Sequence, residues 1–265
     1  MASRWITITT AAAAVFLAGT TALAQNQDTF SWNGAVERGK TLEVRGINGD
    51  VTVTAASGAG AEIRATKTGR DDDPRQVRIE VVQDDQGVLV CAVYPAPSGE
   101  RANGCGRGRH GQSTRDNDVE VDFDVRIPAG VHLVAKTVNG SVDARGVSAD
   151  ARVASVNGDV SVVSTGIAAA SSVNGSVEAT MGRASWDGTL EFNSVNGSIT
   201  LVLPAGTNAD VEGTTLNGGF TSDFPLTVEA NRTWGPKKIE GRIGSGGGKL
   251  EISSVNGSIR LRRAS

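Results

Sequence analysis

Apolar and polar residues alternate along most of this chain, and one recurring turn interrupts the alternation. It reads INGDV at Ile47–Val51, VNGSV at Val138–Val142, VNGDV at Val156–Val160 and VNGSV at Val173–Val177. It returns as VNGSI at Val195–Ile199, LNGGF at Leu216–Phe220 and VNGSI at Val255–Ile259. The turn asparagines are Asn48, Asn139, Asn157, Asn174, Asn196, Asn217 and Asn256. Counted from each Asn, positions −6 and −4 are apolar, from Leu42 and Val44 in the first copy to Leu250 and Ile252 in the last. Positions +3 and +5 follow suit, from Val51 and Val53 to Ile259 and Leu261, with Ser222 as the exception. Position −2 is always small, and position −1 is always Ile, Val or Leu.

Period-2 patterning on both sides of a turn predicts strand–turn–strand. Asn-Gly suits the turn because both residues tolerate positive φ. Two all-β architectures use such a unit. In an antiparallel hairpin meander, the two strands of one copy pair with each other. Position −1 then falls on the face opposite the apolar set, which is hard to reconcile with its apolar character. In a single parallel β-solenoid, the turn is a corner between two strands of one rung, and −1 points inward with +3 and +5. The asparagines of successive rungs then stack and hydrogen-bond along the axis. Successive asparagines from Asn139 to Asn217 are 18, 17, 22 and 21 residues apart, the spacing of stacked units. The gap of 39 to Asn256 predicts a degenerate copy between. The solenoid is the preferred reading and the hairpin meander its alternative. Asn174 is expected mid-stack and Asn256 nearer an end.

The repeat fades between Ala55 and Pro128. Arg78–Val82, Val88–Val93 and Asp118–Ile127 read as strands, and a Gly-rich polar loop joins the last two. Cys91 and Cys105 flank the start of that loop. Their spacing is not CxxC and no His accompanies both, so a structural disulfide is expected, pinning a loop excursion at about 91–118.

Residues 1–24 read as a signal peptide: Arg4, an apolar run from Ala11 to Ala18, and the small-x-small site Ala22-Leu23-Ala24. No later segment approaches the ~20 apolar residues of a membrane-spanning helix. The expectation is an exported protein, periplasmic or at the cell surface, with one repeat domain over 25–265. The formal net charge of −3 excludes the basic excess of a nucleic-acid binder. Only 4% of residues are aromatic and 34 are Gly, so the core must be narrow and built from Val, Ile, Leu, Ala and Thr.

The sequence resembles the DUF4097-type adhesins, exported bacterial proteins with β-strand repeats. The resemblance rests on the VNGSV series, VDFDVRIPAGVHL at Val121–Leu133, LVLPAG at Leu201–Gly206 and GSGGGKLEISSVNGSIRL near the end. It implies a β-solenoid at the cell envelope. It implies no ligand, no cofactor and no catalytic residue.

Other motifs carry less. Gly106-x-Gly108-x-x-Gly111 matches a dinucleotide fingerprint, but no helical pattern follows it. Asp118, Glu120, Asp122 and Asp124 alternate with apolar residues and should share one strand face. Such a row is a calcium candidate or a solvated face paired with basic neighbours such as Arg64 or Arg78. Asp71-Asp72-Asp73-Pro74 reads as a turn. His110 and His132 have no partner at zinc-ligand spacing. Arg260, Arg262 and Arg263 are expected to guard an open sheet edge. Three classes follow. The first is a noncatalytic envelope or surface module with a protein or glycan partner. The second is a glycan-binding solenoid, for which only Trp32, Trp186 and Trp234 offer platforms. The third, a polysaccharide-degrading enzyme, lacks convergent acids and bases in rungs of Ser, Thr, Val and Gly.

Overall fold

The computed structural model describes residues 26–107, 114, 116–226 and 237–264. The leader expected over 1–24 lies outside them, as do His110 and Trp234. Twenty strands make two ten-stranded sheets, and the one helical element among the described residues is a 3-10 turn at Pro74–Gln76. The first strand is β1 (Asn26–Ala35). The first repeat copy forms β2 (Thr41–Arg45) and β3 (Val51–Ala55). Where the repeat fades stand β4 (Gly60–Gly69), β5 (Arg78–Asp84), β6 (Gly87–Val93) and β7 (Glu120–Ile127). The next two copies form β8 (His132–Lys136) with β9 (Val142–Val147) and β10 (Ala151–Ala154) with β11 (Val160–Ser164). β12 (Ala168–Ser172) with β13 (Val177–Met181) and β14 (Thr189–Ser194) with β15 (Ile199–Leu203) follow. Then come β16 (Ala209–Thr215), β17 (Phe220–Ser222) and β18 (Lys237–Ile243). The last copy is β19 (Gly248–Ser254) and β20 (Ile259–Arg263).

In every copy the strand before the Asn joins one sheet and the strand after it joins the other. Neighbouring copies pair in parallel: Val153 lies between Ala135 and Ala170, and Val160 between Val142 and Val177. The two strands of one copy never pair with each other, which removes the hairpin alternative for these copies. Antiparallel pairs occur only toward the ends, at β1–β4, β4–β7, β5–β6 and β16–β18. The result is two mixed sheets with open edges, not a closed barrel.

Stacking order departs from chain order at both ends. β2 and β3 are wedged between β6/β7 and β8/β9. β19 and β20 are wedged between β14/β15 and β16/β17. Among the described residues between Asn217 and Asn256, no degenerate copy pairs into the stack. The described part of that stretch holds β18, an antiparallel edge strand on β16. Because β20 is interior, its arginines guard no edge. Arg263 instead places its guanidinium 5.1 Å from the Phe224 ring centre.

The core is a thin layer between the sheets, filled by the −6, −4, +3 and +5 side chains, with Tyr94, Phe123 and Phe192 the largest fully buried. Position −1 is exposed in the six copies after the first, and in the first Ile47 is half-buried and packs against the core. Alternation runs on through the corner: −2 is buried, from Thr137 and Ser155 to Ser254, so −1 must turn outward. The inward −1 expected of a solenoid corner is therefore overturned.

Candidate binding ridge at the corners

Three ladders hold the corners together. In the first, each Asn side-chain amide donates to the Asn Oδ1 of the adjoining rung. Asn139 donates to Asn48, Asn157 to Asn139, Asn174 to Asn157, Asn196 to Asn174, Asn256 to Asn196 and Asn217 to Asn256, at 2.7–2.8 Å. Asn256 thus sits inside the stack, and Asn217 occupies its end. In the second ladder, the −2 hydroxyls of Thr137, Ser155, Ser172, Ser194, Ser254 and Thr215 donate to the turn Gly carbonyl of the adjoining rung at 2.7–3.1 Å. Buried hydroxyls need such partners. In the third, Asp50 Oδ1 accepts from Ser141 N and Asp159 Oδ1 from Ser176 N, both at 2.7 Å.

The turn Gly is required by proximity. A Cβ on Gly158 would lie 2.1 Å from the Gly140 carbonyl oxygen, and one on Gly175 2.1 Å from that of Gly158. None of the seven asparagines adopts positive φ, so the hairpin-type turn conformation is not used. The −2 hydroxyl is the functional atom that the sequence reading missed. It took that position as merely small, although Ser or Thr fills it in every copy after Gly46.

On top of these ladders, the −1 side chains form a row, one per rung at ~4.8 Å intervals. Val138, Val156, Val173, Val195, Val255 and Leu216 are 36–45% exposed, and each flanks the next. Their outer halves make an apolar ridge bordered on one side by the uncharged Asn ladder. At its N-terminal end the ridge runs into a cleft of about 500 Å³. Ile47, Val138 and Val156 contribute apolar lining, Gly104 and Thr114 of the disulfide loop lie across it, and Lys136 is part of its wall.

Cys91 and Cys105 are joined, with Cα atoms 5.7 Å apart. The loop folds back over the outer face of β6, which is buried along its whole length. Leu89, Cys91 and Val93 form a second apolar cluster there, with Val82 and Cys105 against it. Arg107 bridges Glu43 at 3.1 Å and Asp84 at 2.7 Å, and its guanidinium holds the Asp84 carboxyl below the usual carboxylate range. The Tyr94 hydroxyl reaches the carbonyls of Val119 at 2.8 Å and Asn48 at 3.3 Å, and burial pushes its pKa up.

The acidic residues of 118–124 do not converge. Asp118 precedes the strand and accepts from the backbone of Arg70, Asp71 and Asp72, and the bonds from Asp71 and Asp72 do most to lower its pKa. Asp122 accepts from Asp50 N at 2.9 Å. Asp124 lies opposite Arg64 in the β4–β7 register, while Arg78 is in the other sheet. Among the described residues no group of three His, Cys, Asp or Glu is placed to hold a metal ion. Asp73 caps the 3-10 turn through Arg75 N at 3.0 Å. His132 Nδ1 is 4.0 Å from Asp150 Oδ2. Trp186 is buried, with its Nε1 donating to the Lys249 carbonyl at 3.1 Å, and Trp32 packs its ring against the core.

No described helix is long and apolar enough to cross a membrane. No curated protein matches the chain. Solved structures align with it, two of them described as adhesion proteins. One is a putative cell adhesion protein from Clostridium sporogenes ATCC 15579, with 9% identity and TM-score 0.43, covering 89% of this chain and 100% of that one. The other is a putative adhesin from Bacteroides fragilis NCTC 9343, with 12% identity and TM-score 0.37, covering 88% and 97%. Residues 97–262, most of the repeat array, match the family model described as Toastrack DUF4097, and on that match the chain belongs to the DUF4097 family.

Proposed function

We propose that this protein is a noncatalytic, exported envelope or surface module, built as a parallel β-solenoid, that binds a protein partner along its corner ridge. One observation carries the reading: six branched apolar side chains stand exposed in a line, on a surface that is otherwise polar at the corners. Contiguous apolar patches on soluble proteins mark interaction sites. The ridge is one side chain wide, which favours weak or transient contact over an obligate interface. The disulfide and the leader pattern of residues 1–24 support export. A glycan partner is less favoured because Trp32 and Trp186 are turned into the fold.

The test compares the purified protein with a Val156→Asp, Val173→Asp, Val195→Asp variant in binding to intact cells of its own organism. The variant should keep the circular dichroism spectrum and lose cell binding. Equal binding by both would remove the ridge from the function. N-terminal sequencing of the exported protein should begin at Gln25, and a start at Met1 would overturn export with cleavage.

A further inference from the structure

The last rung completes the stack from within. β19 lies between β14 and β16, so that Ile252 neighbours Phe192 and Gly213. β20 lies between β15 and β17, with Ile259 beside Ile199 and Phe220. Synthesis places β14 to β17 before β19 and β20. Until the last rung arrives, both walls of the slot present unpaired strand edges, and unpaired edges are templates for another chain.

The slot recognises a repeat unit rather than a unique shape. One wall carries Ser194-Val195-Asn196-Gly197-Ser198-Ile199, and the incoming corner is the identical hexapeptide Ser254–Ile259. The ladder bonds recur at this corner, beside backbone bonds such as that from Asn256 N to the Val195 carbonyl at 2.8 Å. Asn256 Nδ2 donates to Asn196 at 2.8 Å, Asn217 donates to Asn256 at 2.8 Å, and Ser254 Oγ donates to the Gly197 carbonyl at 3.1 Å. Lys249 adds an ion pair to Glu212 at 3.1 Å. None of these contacts requires the two sides to share a chain.

The linker into the slot is Gly244-Ser245-Gly246-Gly247, between the end of β18 and Gly248 at the start of β19. It passes from β18 on one side of β16 to β19 on the other. With three glycines in four residues it takes up new backbone angles at little steric cost. We propose that the slot between β14/β15 and β16/β17 accepts β19–β20 from a second copy of the chain, so that two molecules exchange their last rungs. Such an exchange reuses the native bonds, the ordinary basis of domain swapping.

Asn193 and Ser253 are register partners across β14 and β19, and both are exposed. A full chain carrying only Asn193→Cys is mixed with a differently tagged one carrying only Ser253→Cys, unfolded and refolded together at high concentration without reductant. A short bis-maleimide is then added. Exchange predicts a covalent heterodimer joined between positions 193 and 253, with a yield that rises with concentration. The double variant Asn193→Cys, Ser253→Cys, refolded dilute, should link within one chain. No 193–253 heterodimer while the double variant links would overturn the proposal. So would failure of the double variant to link, because the register itself would then be wrong. Ridge-to-ridge association does not bring 253 of one copy beside 193 of another, and no ridge residue is altered.

Discussion

From β8 to β15 each rung meets the next through the same bonds: an Asn amide, a −2 hydroxyl on a Gly carbonyl, and parallel strands in both sheets. From β1 to β7 different devices serve neighbouring strands. β1 and β4 pair antiparallel, and the buried Lys67 ammonium ties them down, 2.6 Å from Asp28 and 2.9 Å from the Val77 carbonyl. β6 and β7 form a rung whose corner is the disulfide loop, where Tyr94 bonds the carbonyl of Asn48. The middle thus draws its stability from repetition of a short motif. The end must cover an edge and an outer apolar face, and it does so with unique long-range contacts. Damage to the middle should spread along the stack, while damage to the end should stay there.

The largest effect should come from Gly158→Ala. Its Cβ would meet a backbone carbonyl that cannot move without parting two rungs, so a loss of about 3 kcal/mol or more is expected in chemical denaturation. Gly58→Ala, with nothing within 4 Å of the added Cβ, should leave the midpoint unchanged. Equal losses at the two positions would sink the close-approach account.

Replacing Cys91 and Cys105 together with Ser should cost roughly 3 kcal/mol, the scale for a loop of 14 residues. Limited proteolysis should then cut first within the 94–119 loop while the strands from β8 onward stay protected. First cuts in the middle would refute the division into two regions.

Asn174→Ala removes an amide with a neighbour on each side and should cost ~1–3 kcal/mol. Asn256→Ala should match it, because Asn256 is also interior, and Asn217→Ala at the end of the ladder should cost about half as much. Equal losses at Asn174 and Asn217, measured by urea titration, would mean that the amides do not act as a ladder.

The smallest effect is acid sensitivity confined to the ends. Asp28, Asp73, Asp84 and Asp118 at one end, and Asp210 and Glu212 at the other, are held below their ordinary pKa by hydrogen bonds from Lys67, Arg75, Arg107, the backbone at Asp71 and Asp72, Arg242 and Lys249 respectively. A depressed carboxyl contributes stability that is present above its unfolded pKa and lost as pH falls through the folded one. Backbone amides of the end strands should therefore lose protection as pH drops below about 4, ahead of those in β10 to β13. Simultaneous loss in both regions would argue that the stack melts as one unit.

Much of the middle was legible beforehand. The alternation around each Asn named the buried positions, from Leu42 and Val44 to Ile259 and Leu261, because period-2 burial is a local property. The acidic strand was legible only in part: its neighbour Arg64 was foreseen, whereas Asp118 turned out to cap a distant loop. The outward turn of position −1 was misread because apolar character was equated with burial. The sequence marks the loop as a disulfide-pinned excursion but not that it covers β6, since nothing local in Leu89, Cys91 and Val93 says that their outward face is covered.

By itself the sequence determined the rung: two short strands, a small hydroxyl residue, and an Asn-Gly corner. Each of these follows from residues within a few positions of one another. Only the tertiary structure decided the order of the rungs. Ser194–Ile199 and Ser254–Ile259 are the same six residues, so no local property distinguishes their neighbours. Their places are set by pairing across the whole stack, which puts β19–β20 between earlier rungs and leaves β17 and β18 at the end. The ridge depends on both levels. The sequence supplies an Ile, Val or Leu before each Asn, and stacking in register turns those separate side chains into one continuous surface.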